Sequence, residues 1–178
     1  YLRAWAGLQR LVREGQTFSG QERNCVYLNT GAQKAVAGSP GVKFADVSSV
    51  SGMDFADDAR SVGLTDWDGD GREDFWVANR TAPRLRLMRN VCREAGGFVQ
   101  YRLQGTKCNR NAIGARIEIK AGGRRYVDTI RAGEGYLAQS SLTKTTGLGA
   151  VGKIDLLRVR WPGGTWEEFP GAAPGGRY

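Results

Sequence analysis

Nine residues, Asp66-Trp67-Asp68-Gly69-Asp70-Gly71-Arg72-Glu73-Asp74, constrain this chain more than any other stretch. Aspartates at loop positions 1, 3, 5 and 9 spell D-x-D-x-D-G-x-x-D. Alternating carboxylates can all turn inward if the backbone curls around a centre, and Gly71 at position 6 permits the sharp turn. The carbonyl of Arg72 would then point at the same centre. Four carboxylates that close repel one another unless a cation lies between them. All-oxygen ligation on a flexible loop selects calcium over zinc, copper or magnesium. The expected cofactor is therefore Ca2+, held by Asp66, Asp68, Asp70, Asp74 and the Arg72 carbonyl. An EF-hand opens the same way but needs a glutamate at about position 12 and flanking helices. Val77 stands there instead, and the flanks Ser61–Thr65 and Phe75–Ala78 are rich in β-formers. The loop is expected to join two strands and to pin the hairpin they form. The competing reading is a polar Asp-Gly turn that binds nothing.

The absence of histidine removes other chemistry. Ser-His-Asp and Cys-His catalysis, His-ligated zinc or haem, and imidazole acid–base work are excluded. A paired-carboxylate mechanism would need two convergent acids, yet Glu167 and Glu168 are neighbours on an expected strand and point to opposite faces. The chain therefore reads as no enzyme. Cys25, Cys92 and Cys108 form no C-x-x-C, which argues against redox and zinc-ribbon motifs. Bridges Cys92–Cys108 and Cys25–Cys108 both stay open, as does a set of three buried thiols.

The net charge of +8 comes largely from dispersed arginines. Arg84 and Arg86 alternate with leucines, and Arg158 and Arg160 with Leu157, Val159 and Trp161, so they read as outer faces of half-buried strands. These four are the candidate contacts for an acidic partner or an anionic glycan. No nucleic-acid-binding motif accompanies the charge. No stretch approaches the ~18 apolar residues of a transmembrane helix. A start at Tyr1 without Met fits a processed product.

Leu2, Trp5, Leu8, Leu11 and Val12 recur at helical spacing, and Gly15 supplies a stop, so Tyr1–Gly15 is expected to be an amphipathic helix resting on its own domain. Strands are expected near Cys25–Leu28, Val42–Val47, on both sides of the acidic loop, and over Arg84–Arg89. A seam at Arg93–Gly97 precedes further strands at Phe98–Leu103, Ile113–Lys120, Arg125–Arg131, Tyr136–Ser140, Lys153–Trp161 and Thr165–Phe169. Gly122-Gly123 and Pro162-Gly163-Gly164 signal hairpin turns. The Gly- and Pro-rich segment from Pro170 is expected to fray or reach outward.

Two resemblances follow from these words. Asp66–Asp74, with Phe44-Ala45-Asp46-Val47-Ser48, Ser51-Gly52-Met53 and the strand-like Asn24–Gly31, resembles an FG-GAP/VCBS repeat, the calcium-bearing blade of integrin-like β-propellers. Leu103–Arg116, Arg131–Ser141 and Val159–Gly164 resemble the opening, middle and end of an ASPIC/UnbV domain, the module that ends cartilage acidic protein and many bacterial secreted proteins. The resemblance implies a mostly β chain: a helix and linker over 1–22, a blade-like antiparallel unit over 23–92, and a small antiparallel sandwich or barrel over 93–178. It also implies a non-catalytic, extracytoplasmic module (secreted, periplasmic or at the cell surface) stabilised by calcium and serving adhesion or assembly. A lone blade exposes faces and an edge, so a protein partner or larger assembly is expected to cover it. The other readings are a carbohydrate-binding module using Trp161, Trp166 or Tyr136, and a polyanion or nucleic-acid binder using the arginine faces. Asn109, Arg110, Glu134, Tyr136 and Gln139 sit inside the motif words, either as a ligand groove or as a network that fixes turns.

Overall fold

The structure, a computed structural model, describes residues 2–16, 20–32, 41–93 and 96–178. Of the described residues 38% lie in strands and 7% in helix, and the strands form several antiparallel sheets. The chain divides into two compact units, one of residues 1–59 with 79–84 and one of 60–78 with 85–178.

In the first unit, α1 (Leu2–Arg13) is the expected amphipathic helix, with Arg10 and Arg13 in its last turn, where cations favour the helix dipole. Tyr1 lies outside the described residues. Its apolar stripe is not buried among the described residues: Trp5, Leu8, Leu11 and Val12 remain 39–58% exposed. β1 (Tyr27–Ala32) and β2 (Val42–Asp46) pair antiparallel. Ser48 anchors their end, its hydroxyl receiving the Val26 N–H at 2.9 Å and donating to Asp46 at 2.5 Å. Tyr27, Leu28, Val42 and Phe44 stay more than half exposed on this hairpin.

β3 (Ala59–Thr65), β4 (Asp74–Asn79) and β5 (Leu85–Met88), which but for Ala59 and Asn79 belong to the second unit, form a sheet of that order with β4 in the middle. The acidic loop joins β3 to β4, as its flanks require. Beyond Met88, the Arg93–Gly97 seam falls partly outside the described residues. Next come β6 (Gly97–Tyr101), β7 (Arg116–Ala121), β8 (Arg124–Thr129), β9 (Lys144–Gly149), β10 (Ile154–Arg160) and β11 (Trp166–Glu168). They form a four-stranded sheet, β11-β10-β7-β8, and a two-stranded one, β6-β9. No barrel closes among the described residues, and the arrangement is that of a β-sandwich.

The core is built by alternation. Ile117 and Ile119 on β7, Leu157 and Val159 on β10, and Val99, Tyr101 and Leu148 on β6 and β9 meet in one buried cluster. Each such aliphatic side chain gains ~1.5–3 kcal/mol from leaving water. The expected turns appear at Gly122-Gly123, both with positive φ, and at Gly164 between β10 and β11.

Two expectations are corrected. Tyr136–Ser140 is a turn rather than a strand. Leu137 has φ +49° and the Glu134 N–H bonds the Ala138 carbonyl at 3.2 Å, while Ser140 and Ser141 bond Leu64 at the end of β3. The strand in this region is β9, whose two glycines weaken its local β signal. The segment after Pro170 does not reach outward. Its backbone runs along β6, with Gly175 N–H to Phe98 O, Gln100 N–H to Gly176 O, Tyr178 N–H to Gln100 O and Arg102 N–H to Tyr178 O at 2.6–3.0 Å. Edge groups of β6 that would otherwise be unpaired are satisfied there.

Candidate metal centre

The acidic loop curls around Asp66. Its Oδ1 receives the Asp70 N–H and its Oδ2 the Gly71 N–H, both at 3.0 Å. Asp74 closes the other end, accepting from Trp67 N–H at 2.8 Å and Asn90 N–H at 2.7 Å. Gly71 is buried at φ +87°, and a Cβ there would collide with the ring of Phe98. Position 6 therefore admits only glycine, on both conformational and packing grounds.

Carboxylate oxygens of Asp66, Asp68 and Asp74 lie within 4.8 Å of one another. One Ca2+ binds oxygens at ~2.3–2.6 Å, so two of its ligands can stand up to about twice that far apart. The three residues fit the ion. Asp70 takes another course, its carboxylate accepting from the Arg72 N–H at 2.9 Å and pairing with the Arg72 guanidinium. That guanidinium also donates to the Asn90 carbonyl at 3.1 Å. Of the carboxylates read from the sequence, Asp66, Asp68 and Asp74 converge and Asp70 stands apart with Arg72.

The loop has neighbours that its own spacing does not announce. Arg89 Nε donates to Asp68 Oδ2 at 2.6 Å. Gln100 Nε2 donates to Asp66 Oδ2 at 2.6 Å and to Thr145 Oγ1 at 3.1 Å, and the Arg177 guanidinium donates to the Gly69 carbonyl. Burial pushes the Asp68 carboxyl up, but the bond and charge of Arg89 together with donors from Asp70 outweigh it and hold the group below its ordinary value. Glu73 moves the other way, raised chiefly by burial, with Lys144 opposing and Asp128, Glu134 and Asp66 adding to the rise. Trp67 stands 61% exposed on the loop, edge-on to Trp76 with centroids 5.2 Å apart.

Arg89 and Asn90 were within reach of sequence reasoning. The β4–β5 register pairs Phe75 with Met88, which carries the next two residues alongside Asp74. Gln100 and Arg177 come from distant sequence and leave no local signal.

The remaining candidates fall as follows. Arg84 is exposed outside β5, and Arg86 is half-buried within it. Arg158 lies over the Trp166 ring at 4.3 Å and bonds Glu118 at 3.1 Å, while Arg160 is exposed at the end of β10. Glu118 alternates with Ile117 and Ile119 along β7, yet it is 2% exposed because Arg125 and Arg158 close over it. Asn109 forms a closed pair with the Ile113 backbone, its amide donating at 2.9 Å and accepting at 2.7 Å. Glu134 pairs with Lys144 at 2.8 Å, and Gln139 donates to the Ser140 carbonyl. These three fix turns, whereas Tyr136 is 68% exposed. Cys25, Cys92 and Cys108 are free thiols; Cys25 and Cys92 are exposed and Cys108 is half-buried, so none is a core hydrophobe.

No curated protein matches the chain. Residues 105–178, the stretch that supplies β7 to β11, match the family model described as ASPIC and UnbV.

Proposed function

We propose that this chain is a non-catalytic, calcium-stabilised interaction module of an extracytoplasmic protein, acting as a subunit or a piece of a larger assembly. The observation that carries the reading is the meeting of the Asp66, Asp68 and Asp74 carboxylates across one strand-to-strand loop. In this reading the loop belongs to an FG-GAP/VCBS-like repeat, and the ASPIC and UnbV match over 105–178 supports the partnership of the two modules. Bound calcium would neutralise the converging carboxylates. The chain's own donors fix the loop before the ion arrives: the Asp70 and Gly71 amides hold Asp66, and the Trp67 and Asn90 amides hold Asp74. Such preorganisation lowers the ordering cost of binding. The assembly role draws support from the exposed apolar residues of α1 and of the β1–β2 hairpin.

The test is thermal unfolding with calcium and with a chelator. At a free ion concentration about 100 times the dissociation constant, binding adds ~2.7 kcal/mol to stability. Calcium is expected to raise the Tm of the wild type by several degrees and to leave Asp68→Ala unmoved. Equal Tm values for the wild type in the two buffers would dismiss the reading.

A further inference from the structure

The sandwich of the second unit carries two adjoining clefts that the calcium loop does not use. One, of about 430 Å3, has the buried Ile117, Leu157 and Val159 as its floor and Tyr101, Phe169 and Tyr178 among its walls. The other, of about 440 Å3, lies toward the β10–β11 turn and is lined by Lys107, Gly163, Thr165 and Trp166. Thr106, Trp161 and Glu167 belong to both. Trp161 and Glu167 are locked together, the indole Nε1–H donating to the Glu167 carboxylate at 2.7 Å. A shared wall of one indole and one carboxylate thus separates two hollows of nearly equal size.

Both hollows open to solvent at the edge of the core, where a ligand can reach them. Concave sites of ~300–1,000 Å3 with aromatic walls and a few placed polar groups are the usual form of a small-ligand site. The lining here has two chemistries in each hollow. Phe169 and Trp161 are among the residues lining the first, and Trp161 and Trp166 among those lining the second. Gln104, Thr106 and Glu167 offer hydrogen bonds in the first, and Thr106, Lys107, Thr165 and Glu167 in the second. A wholly apolar ligand would cover the Gln104 amide and the Thr106 and Thr165 hydroxyls without giving them partners, at a cost per buried group of ~1–3 kcal/mol. A wholly polar one would leave the rings against nothing. A pyranose ring answers both demands, since its C–H face lies against an aromatic ring and its hydroxyls both donate and accept at the edge. We propose that these paired clefts are an oligosaccharide-binding groove, one sugar ring seated in each, with Trp161 stacking and Glu167 accepting from a hydroxyl. The assignment stands independently of the aspartate loop, none of whose residues lines either cleft.

Cellohexaose, xylohexaose and chitohexaose serve as probes, with affinity followed by calorimetry and by tryptophan fluorescence. Trp161 packs against the core, so its truncation confounds binding with folding. Glu167→Gln and Thr106→Val alter exposed side chains and are the decisive variants. At least one probe is expected to bind the wild type with a change in tryptophan emission. Each variant, folded by circular dichroism, is expected to lose about tenfold in affinity, the worth of one good hydrogen bond. If none of the three probes binds, or if a probe binds both folded variants as tightly as the wild type, the groove is not a sugar site.

Discussion

Glu118 shows how a single residue can depart from its sequence pattern while the pattern holds around it. Alternation along Arg116–Lys120 assigns Ile117 and Ile119 to the core and Glu118 to the outer face, and the two isoleucines lie in the core cluster. The glutamate departs from that expectation and is buried, because Arg125 on β8 and Arg158 on β10 reach across from the neighbouring strands to its carboxylate at 3.0 and 3.1 Å. The β7–β10 register pairs Arg158 with Glu118, so this ion pair depends on strand order, which periodicity alone does not supply. Arg125 first, then Arg158, against the opposing effect of burial, hold the Glu118 carboxyl down at about 2 from an ordinary 4.5. A depressed carboxyl contributes stability that is fully present above its unfolded value and fades as pH falls toward the folded one. The Tm is therefore expected to fall between about pH 4.5 and pH 2 with a component traceable to this group. Glu118→Gln should lower the Tm at neutral pH by several degrees and flatten that acid limb. A Tm-against-pH series on the two proteins checks it, and parallel curves would remove Glu118 from the account.

Whole elements were legible where a strand carries its own alternation. β7 and β10 stand within a few residues of where their Ile, Leu and Val spacing puts them, and the Gly-Gly and Pro-Gly-Gly turns close the hairpins beside them. β9 was not legible, because Gly147 and Gly149 interrupt the strand signal of Thr145 and Thr146, and the segment is held extended by its pairing with β6. The same strand explains the last segment of the chain. Glycines at 175 and 176 look like a loop, but β6 has a free edge, and Gly175–Tyr178 occupies it, with Gln100 and Arg177 bridging in parallel. Gln100 in turn carries Asp66, so the edge pairing and the acidic loop share a residue. Deleting residues 175–178 is expected to raise amide exchange at Gln100 and Arg102 by at least tenfold, a protection loss of ~1.4 kcal/mol, and to promote association through the bared edge. Exchange followed by mass spectrometry reads this directly; unchanged protection of that strand would mean the pairing is dispensable.

At the scale of the molecule, the second unit combines a strand-joining acidic loop with a sandwich that the ASPIC and UnbV model matches over 105–178. The spacing of the aspartates foretold a curled loop between strands, and the loop is there. Spacing could not foretell that Asp70 turns to Arg72 or that Arg89 covers Asp68, since those arginines compete for the same oxygens. In the proposed reading calcium has to displace these arginines from Asp68 and Asp70, and that division of the aspartates is what an experiment can decide. Terbium, a luminescent substitute for calcium, makes the loop itself the reporter. Trp67 lies within the loop and Trp76 meets it edge-on, so a terbium ion there lies close to an excitable indole. Tryptophan-sensitised terbium emission is expected from the wild type, displaced by calcium and lost in Asp68→Ala. Absence of sensitised emission, or emission of equal strength from that variant, would contradict the claim that these aspartates hold an ion.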